Sequence, residues 1–211
     1  MIFDHSGYLI FGTSSWFNYI GRLAFPIFAF QISEGYIHTR NLKKYFFRLI
    51  VFAIISQIPF ILFSYFAFNS FSTLNIFFTL ALGLLAIIII DKMPIKLFGI
   101  ILAILIGYLA DFLHTDYGSF GIAIIVIFYL FKNNIFLMDL SYIVAVVLKF
   151  CLYMPDSFKA RIYCFFTILP IILINLYNKE QGKKIKYFLY IFYPAHLLIL
   201  SILLYFSKQI I

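Results

Sequence analysis

The chain has 211 residues, of which 64% are hydrophobic, 22% aromatic and only 11% charged. Soluble domains carry about a quarter charged residues and cannot hide this much apolar surface, so the composition excludes a water-soluble fold and requires lipid around it. The net charge of +8 lies in short breaks between apolar runs, which ties it to membrane orientation rather than to nucleic acid.

Nine apolar segments follow one another: 1–12, 19–37, 45–68, 75–90, 97–111, 118–131, 135–154, 161–177 and 187–206. A span takes about 20 residues, and several of these are shorter. No break is long enough for a second domain. The expected architecture is all-α, a single polytopic transmembrane helix bundle over 1–211 with eight to nine membrane segments. No small-residue cleavage site follows the apolar start, so a cleavable signal peptide is not expected. Cys151 and Cys164 lie in apolar surroundings without metal or redox spacing and read as structural. No H-x-x-x-H or cysteine pair supports a metal site.

Positive-inside counting sets the topology. The breaks after the second, fourth, sixth and eighth segments hold Arg40, Lys43, Lys44, Arg48, Lys92, Lys96, Lys132, Lys179, Lys183, Lys184 and Lys186, against Arg22, Lys149, Lys159, Arg161 and Lys208 on the other side. The N-terminus is therefore expected in the cytoplasm and the C-terminus outside, with the region of Lys159 fitting least well. Pro26, Pro59, Pro170 and Pro194 fall inside segments, where each removes a backbone donor and favours a kink.

Ionisable side chains at membrane depth are expensive and therefore candidate functional groups. Asp4-His5 comes first in the chain. The second segment carries Arg22, Gln31, Glu34 and His38, the third carries Gln57, and the last carries His196. The helical rise places His5 about 16 Å below the outer end and His196 about 14 Å above the inner end. Both fall near the middle of a core about 30 Å thick. Gln31 and Gln57 come out at a similar depth, and Arg22 close to the outer surface. Arg22 and Glu34 are about 18 Å apart along their helix and cannot pair with each other, whereas Glu34 and His38 share a face. Two mid-depth histidines beside an aspartate and amides suggest a polar cavity in which histidine acts as general base or transient nucleophile. Hydrogen-bonded interhelical contacts are the other reading. The outer break gathers Asp111, His114 and Asp116, either to attract a cationic acceptor such as an amine or simply to be solvated. On the inner side Arg40, Lys43 and Lys44 suit lipid headgroups, the phosphates of a nucleotide-like donor, or orientation alone.

The run Ile20-Gly21-Arg22-Leu23-Ala24-Phe25-Pro26-Ile27-Phe28-Ala29-Phe30, with Glu34-Gly35 and His38-Thr39-Arg40-Asn41 after it, closely resembles the TraX family. So do Met1-x-x-Asp4-His5, Ser56-Gln57-Ile58-Pro59-Phe60, Asn75-Ile76-Phe77-Phe78-Thr79-Leu80, Asp116-Tyr117-Gly118 and Tyr193-Pro194-x-His196. The resemblance implies a polytopic acetyltransferase of the bacterial inner membrane, with acetyl-CoA as donor and an acceptor such as pilin. It places the family's early histidine at His5 and its outer arginine at Arg22. Relatives begin upstream of the Met-x-x-Asp-His element, which implies that the first helix here is too short to span alone and that the chain is either truncated or misassigned at its start.

Two function classes follow. In the first, His5, oriented by Asp4, and His196 transfer an acetyl group to an amine or hydroxyl acceptor. Arg22, Gln31, Glu34, Gln57, Arg40, Lys43, Lys44, Asp111 and Asp116 then contact the substrates, and membrane lipids and a pilin-like acceptor are the expected partners. In the second, the same polar residues line a path through a small transporter or channel; inverted repeats would support that, and none is evident. A non-catalytic assembly factor is a third reading.

Overall fold

A computed structural model describes residues 1–11, 15–71, 73–153, 158–180 and 186–210. The expected breaks at Pro155 and at Lys183 and Lys184 lie outside the described residues. Within them the chain forms an all-α bundle. Its helices are α1 (Ile2–Phe11), α2 (Trp16–Gly21), α3 (Ala24–His38), α4 (Leu42–Phe68), α5 (Ile76–Lys92), α6 (Lys96–Phe112), α7 (Gly118–Leu130), α8 (Ile135–Tyr153), α9 (Phe158–Ile168), α10 (Pro170–Asn175) and α11 (Lys186–Ile210).

Two of the nine expected segments are broken, and proline accounts for both breaks. A proline ring collides with the carbonyl four residues back and disfavours helix in the residue before it. Pro26 therefore ends α2 at Gly21 and restarts the helix at Ala24, across a turn at Arg22 and Leu23. Pro170 opens α10 after the turn at Leu169. Pro59 and Pro194, by contrast, sit inside continuous helices.

Successive helices from α5 to α9 pack against their neighbours, and α11 returns to pack along α4 and α1. The centre is α5 against α7, where Leu84, Ala86, Ile87, Ile124, Ile125 and Phe128 are wholly buried. A helix apolar on every side belongs in such an interior. Gly99 permits the crossing of α6 on α5: a Cβ there would lie 2.8 Å from the Ile90 Cα.

Three stretches are long and apolar enough to cross a bilayer: Leu42–Phe68, Phe158–Asn175 and Tyr187–Ser207. Their outer faces are apolar; Ile58, at the middle of α4, is 69% exposed. The chain is thus a membrane protein. α7 is only 13 residues long, about 20 Å by helical rise, and its neighbours enclose it.

Polar caps decide where the shorter helices begin. Asn75, with no exposed surface, accepts the Phe77 N–H at 3.0 Å and donates to the Ala53 carbonyl at 2.7 Å and to Gln57 Oε1 at 2.8 Å. Gln57 also accepts the Asn75 N–H and donates to the Thr73 carbonyl. Its amide therefore holds the α4–α5 link. Leu74 joins this link to the α6–α7 turn, donating to the His114 carbonyl at 3.0 Å and accepting the Asp116 N–H at 2.9 Å.

Replacing Asn75 with Ala strands several buried partners and is expected to cost about 1–3 kcal/mol. Thermal unfolding of the purified protein in detergent should show a lowered midpoint, and an unchanged midpoint would contradict this account of the link.

Candidate functional site

Asp4, on α1, presents its side chain to α2. Asn18, wholly buried, donates to the Asp4 carbonyl at 2.7 Å and to Asp4 Oδ1 at 3.1 Å. Arg22 Nη2 donates to both carboxylate oxygens, at 2.8 and 2.7 Å. Gly21 makes this approach possible, because a Cβ there would lie 2.4 Å from Asp4 Cβ. Arg22 also lies over the Tyr163 ring at 5.5 Å. Partly buried together, each charge requires the other. Asp4 does not orient His5 as expected from the sequence, since its oxygens are turned to Arg22 and Asn18. It fixes the helix that carries His5.

His5 faces the opposite way, toward α11. Its Nδ1 lies 3.0 Å from His196 Nε2, and His196 Nδ1 lies 2.9 Å from the Phe192 carbonyl. A carbonyl only accepts, so His196 Nδ1 must carry its proton. In neutral imidazole the other nitrogen then accepts, so His5 Nδ1–H donates to His196 Nε2. His5 Nε2 is left with an in-plane lone pair. One backbone carbonyl thus sets the tautomer of both rings, and the nucleophilic nitrogen is His5 Nε2. Phe63 meets His5 edge-on at 4.9 Å and Phe192 stacks on His196 at 5.1 Å, which fixes both ring planes. His196 is only 5% exposed.

The remaining sequence candidates divide. Asp116, Arg22 and Lys149 line a small cavity of about 100 Å³ with Phe25, Tyr117 and Phe120. Asp116 is itself exposed at the rim of this cavity. Asp111 instead accepts the Ser119 N–H at 2.7 Å, a local cap on α7 that accounts for its place in the sequence. Gln31 is exposed on α3. Glu34 pairs with His38 at 3.4 Å, one turn along as expected. Arg40, Lys43 and Lys44 are exposed around the link between α3 and α4.

Sequence reasoning missed a second group beside that link. Asp91 accepts hydroxyl hydrogen bonds from Tyr36 at 2.7 Å and Tyr129 at 2.5 Å, and Lys132 lies 4.4 Å above the Tyr129 ring. These residues line an open cavity of about 370 Å³ with Ile37, Thr39 and Leu42. The only signal was the charged end of an apolar run, which orientation alone explains. Among the described residues no cluster of three or more His, Cys, Asp or Glu side chains could hold a metal ion.

The sequence profile of the family described as TraX protein matches residues 1–204. The chain is also 29% identical, over 225 residues, to the probable fimbrial assembly protein FimC, serogroup H1, of Dichelobacter nodosus, covering 95% of this chain and 89% of that protein. No solved structure matches it significantly.

Asp4→Ala leaves a half-buried guanidinium without its counter-ion and is expected to cost up to about 3 kcal/mol. The double variant Asp4→Ala with Arg22→Ala should lose less than the sum of the two single changes, read from thermal midpoints in detergent. Additive losses would mean that the pair is not coupled.

Proposed function

Because the chain belongs to the TraX family, we propose that it is a membrane-bound acetyltransferase that moves the acetyl group of acetyl-CoA to an amine or hydroxyl of an exported acceptor. A pilin-like protein is the first acceptor to test, since the similar protein of Dichelobacter nodosus is named for fimbrial assembly. The membrane is the bacterial inner membrane, with the N-terminus cytoplasmic and the C-terminus outside. Arg40, Lys43 and Lys44 on the inner side supply cations for the donor's phosphates.

The observation that carries this reading is the 3.0 Å hydrogen bond between His5 and His196, with the tautomer it imposes. His5 Nε2 attacks the thioester carbonyl, the carbon–sulfur bond breaks, and the thiolate leaves toward the cytoplasm. As the imidazole gains the acetyl group its Nδ1 proton passes to His196 Nε2, so the acetyl-imidazole is neutral. The Phe192 carbonyl still accepts the Nδ1–H of the histidinium that His196 becomes. When the acceptor attacks the acetyl carbon, the carbon–nitrogen bond to His5 breaks and the proton returns from His196 to His5. The proton given up by the acceptor balances the one taken by the departing thiolate. The relay carries an acetyl group across while the charged coenzyme stays inside.

His5→Ala and His196→Ala are each expected to lower transfer by about 10²–10⁴-fold, with unchanged elution in gel filtration. The assay incubates purified protein with radiolabelled acetyl-CoA and amine peptides and follows the product by mass spectrometry. Product at the unaltered level in either variant would sink the mechanism. Solute flux in vesicles without any labelled protein or peptide would favour transport instead.

Rapid acid quenching during turnover should capture label on the peptide that contains His5 and none on the peptide that contains His196, because only His5 Nε2 offers a free lone pair. Label on His196 would reverse the assignment of the two rings.

A further inference from the structure

We propose that the cavity between the ends of α3, α5 and α7 holds the phosphate head of an anionic membrane lipid, with Lys132 as its counter-ion. Such a site goes beyond acetyl transfer and stands whether or not the chain catalyses it.

Depth comes first. None of the residues that line this cavity lies more than two positions from a helix end. Leu42, one of them, opens the apolar stretch Leu42–Phe68, which is long enough to cross a bilayer. The cavity therefore sits where a crossing helix begins, at the level of lipid headgroups rather than of the hydrocarbon. Tyrosine is enriched at that level, and Tyr36 and Tyr129 are both in the lining. Ile37, also in the lining, is 38% exposed and gives an acyl chain apolar surface beside the head.

Charge decides the sign of the ligand. The breaks 38–44, 91–96 and 132–134 meet around the cavity and carry Arg40, Lys43, Lys44, Lys92, Lys96 and Lys132 against a single acid, Asp91. Asp91 is not left to attract a cation, because one of its oxygens accepts from Tyr36 and the other from Tyr129. Lys96 is committed as well, donating to the Ile90 and Asp91 carbonyls. Lys132 is held differently, 4.4 Å above the Tyr129 ring. Among the described residues the ion pairs are Arg22 with Asp4 and His38 with Glu34, so no carboxylate is paired with Lys132. Its ammonium is presented to a phosphate oxygen from a ring that Asp91 keeps in place, and Thr39 adds a hydroxyl to the lining. A basic recess between helices at the bilayer surface is the form that recognition of an anionic lipid head takes.

Size separates the two sources of such a phosphate. A volume of about 370 Å³ corresponds to about twelve waters at roughly 30 Å³ each. That suits a glycerophosphate head and is tight for the bulkier adenosine bisphosphate end of a coenzyme, which the exposed Arg40, Lys43 and Lys44 are left to meet.

The test is lipid retention by the purified, delipidated protein in detergent, followed by native mass spectrometry after addition of phosphatidylglycerol or phosphatidylcholine with the same acyl chains. Phosphatidylglycerol should bind at least about fivefold more tightly. Lys132→Gln should remove most of that preference and Lys132→Arg should keep it, whereas Lys92→Gln, at an exposed cation outside the lining, should change it little. Equal retention of the two lipids by the unaltered protein overturns the proposal without relying on any variant. A loss in Lys92→Gln as large as in Lys132→Gln overturns it too, because surface charge alone would then account for binding. Neither glycerol 3-phosphate nor adenosine 3′,5′-bisphosphate at the same concentration should displace the bound lipid. Displacement by either gives the cavity to a soluble phosphate ligand and sinks the lipid assignment.

Discussion

The partly buried Asp4 carboxylate is held by Arg22, which donates two hydrogen bonds to it, and by Asn18, which donates one to it and one to the Asp4 carbonyl. This constraint organises the end of the bundle that carries the chemistry. Neighbouring residues on a helix point about 100° apart, so fixing Asp4 against α2 turns His5 toward α11. The break between α2 and α3 at Arg22, imposed by Pro26, frees the guanidinium to swing to α1 rather than run along its own helix. The lack of a side chain at Gly21 lets the two elements close. A kink that resembles ordinary bundle irregularity is thus part of how the histidine is aimed.

The same economy governs the histidine pair. Neither imidazole depends on a carboxylate for its tautomer, because the Phe192 carbonyl does that work through His196. A neutral relay suits a low-dielectric interior better than a charged triad, since charge appears only transiently and passes between two rings already in contact. Phe63 and Phe192 enclose the rings without offering competing hydrogen bonds.

Polar residues elsewhere in the bundle mostly satisfy one another. Gln57 with Asn75 and Asp111 with Ser119 are helix starts and links; Glu34 with His38 is a pair on one helix face. In the sequence these looked equivalent to Asp116, because depth can be counted along a helix but partners cannot. Asp111 and Asp116 illustrate this: five residues apart in one short break, one caps α7 and the other opens onto a cavity with Arg22 and Lys149. The cavity around Asp91 went unread for the opposite reason, since a charge at the end of an apolar run is already explained by topology.

By itself the sequence determined the solvent, the number and order of the apolar segments, the family and the shared depth of His5 and His196. These follow from composition, from a fixed rise per residue and from motifs that keep their order along the chain. The tertiary structure decided which faces meet. It turned Asp4 from an orienting partner of His5 into the anchor of α1, spent Gln57 on a link, and showed that the two histidines touch through particular nitrogens. Hydrogen-bond direction and pairing depend on how helices are rotated against one another, and that rotation is set by packing between segments far apart in the chain, which a one-dimensional pattern does not contain.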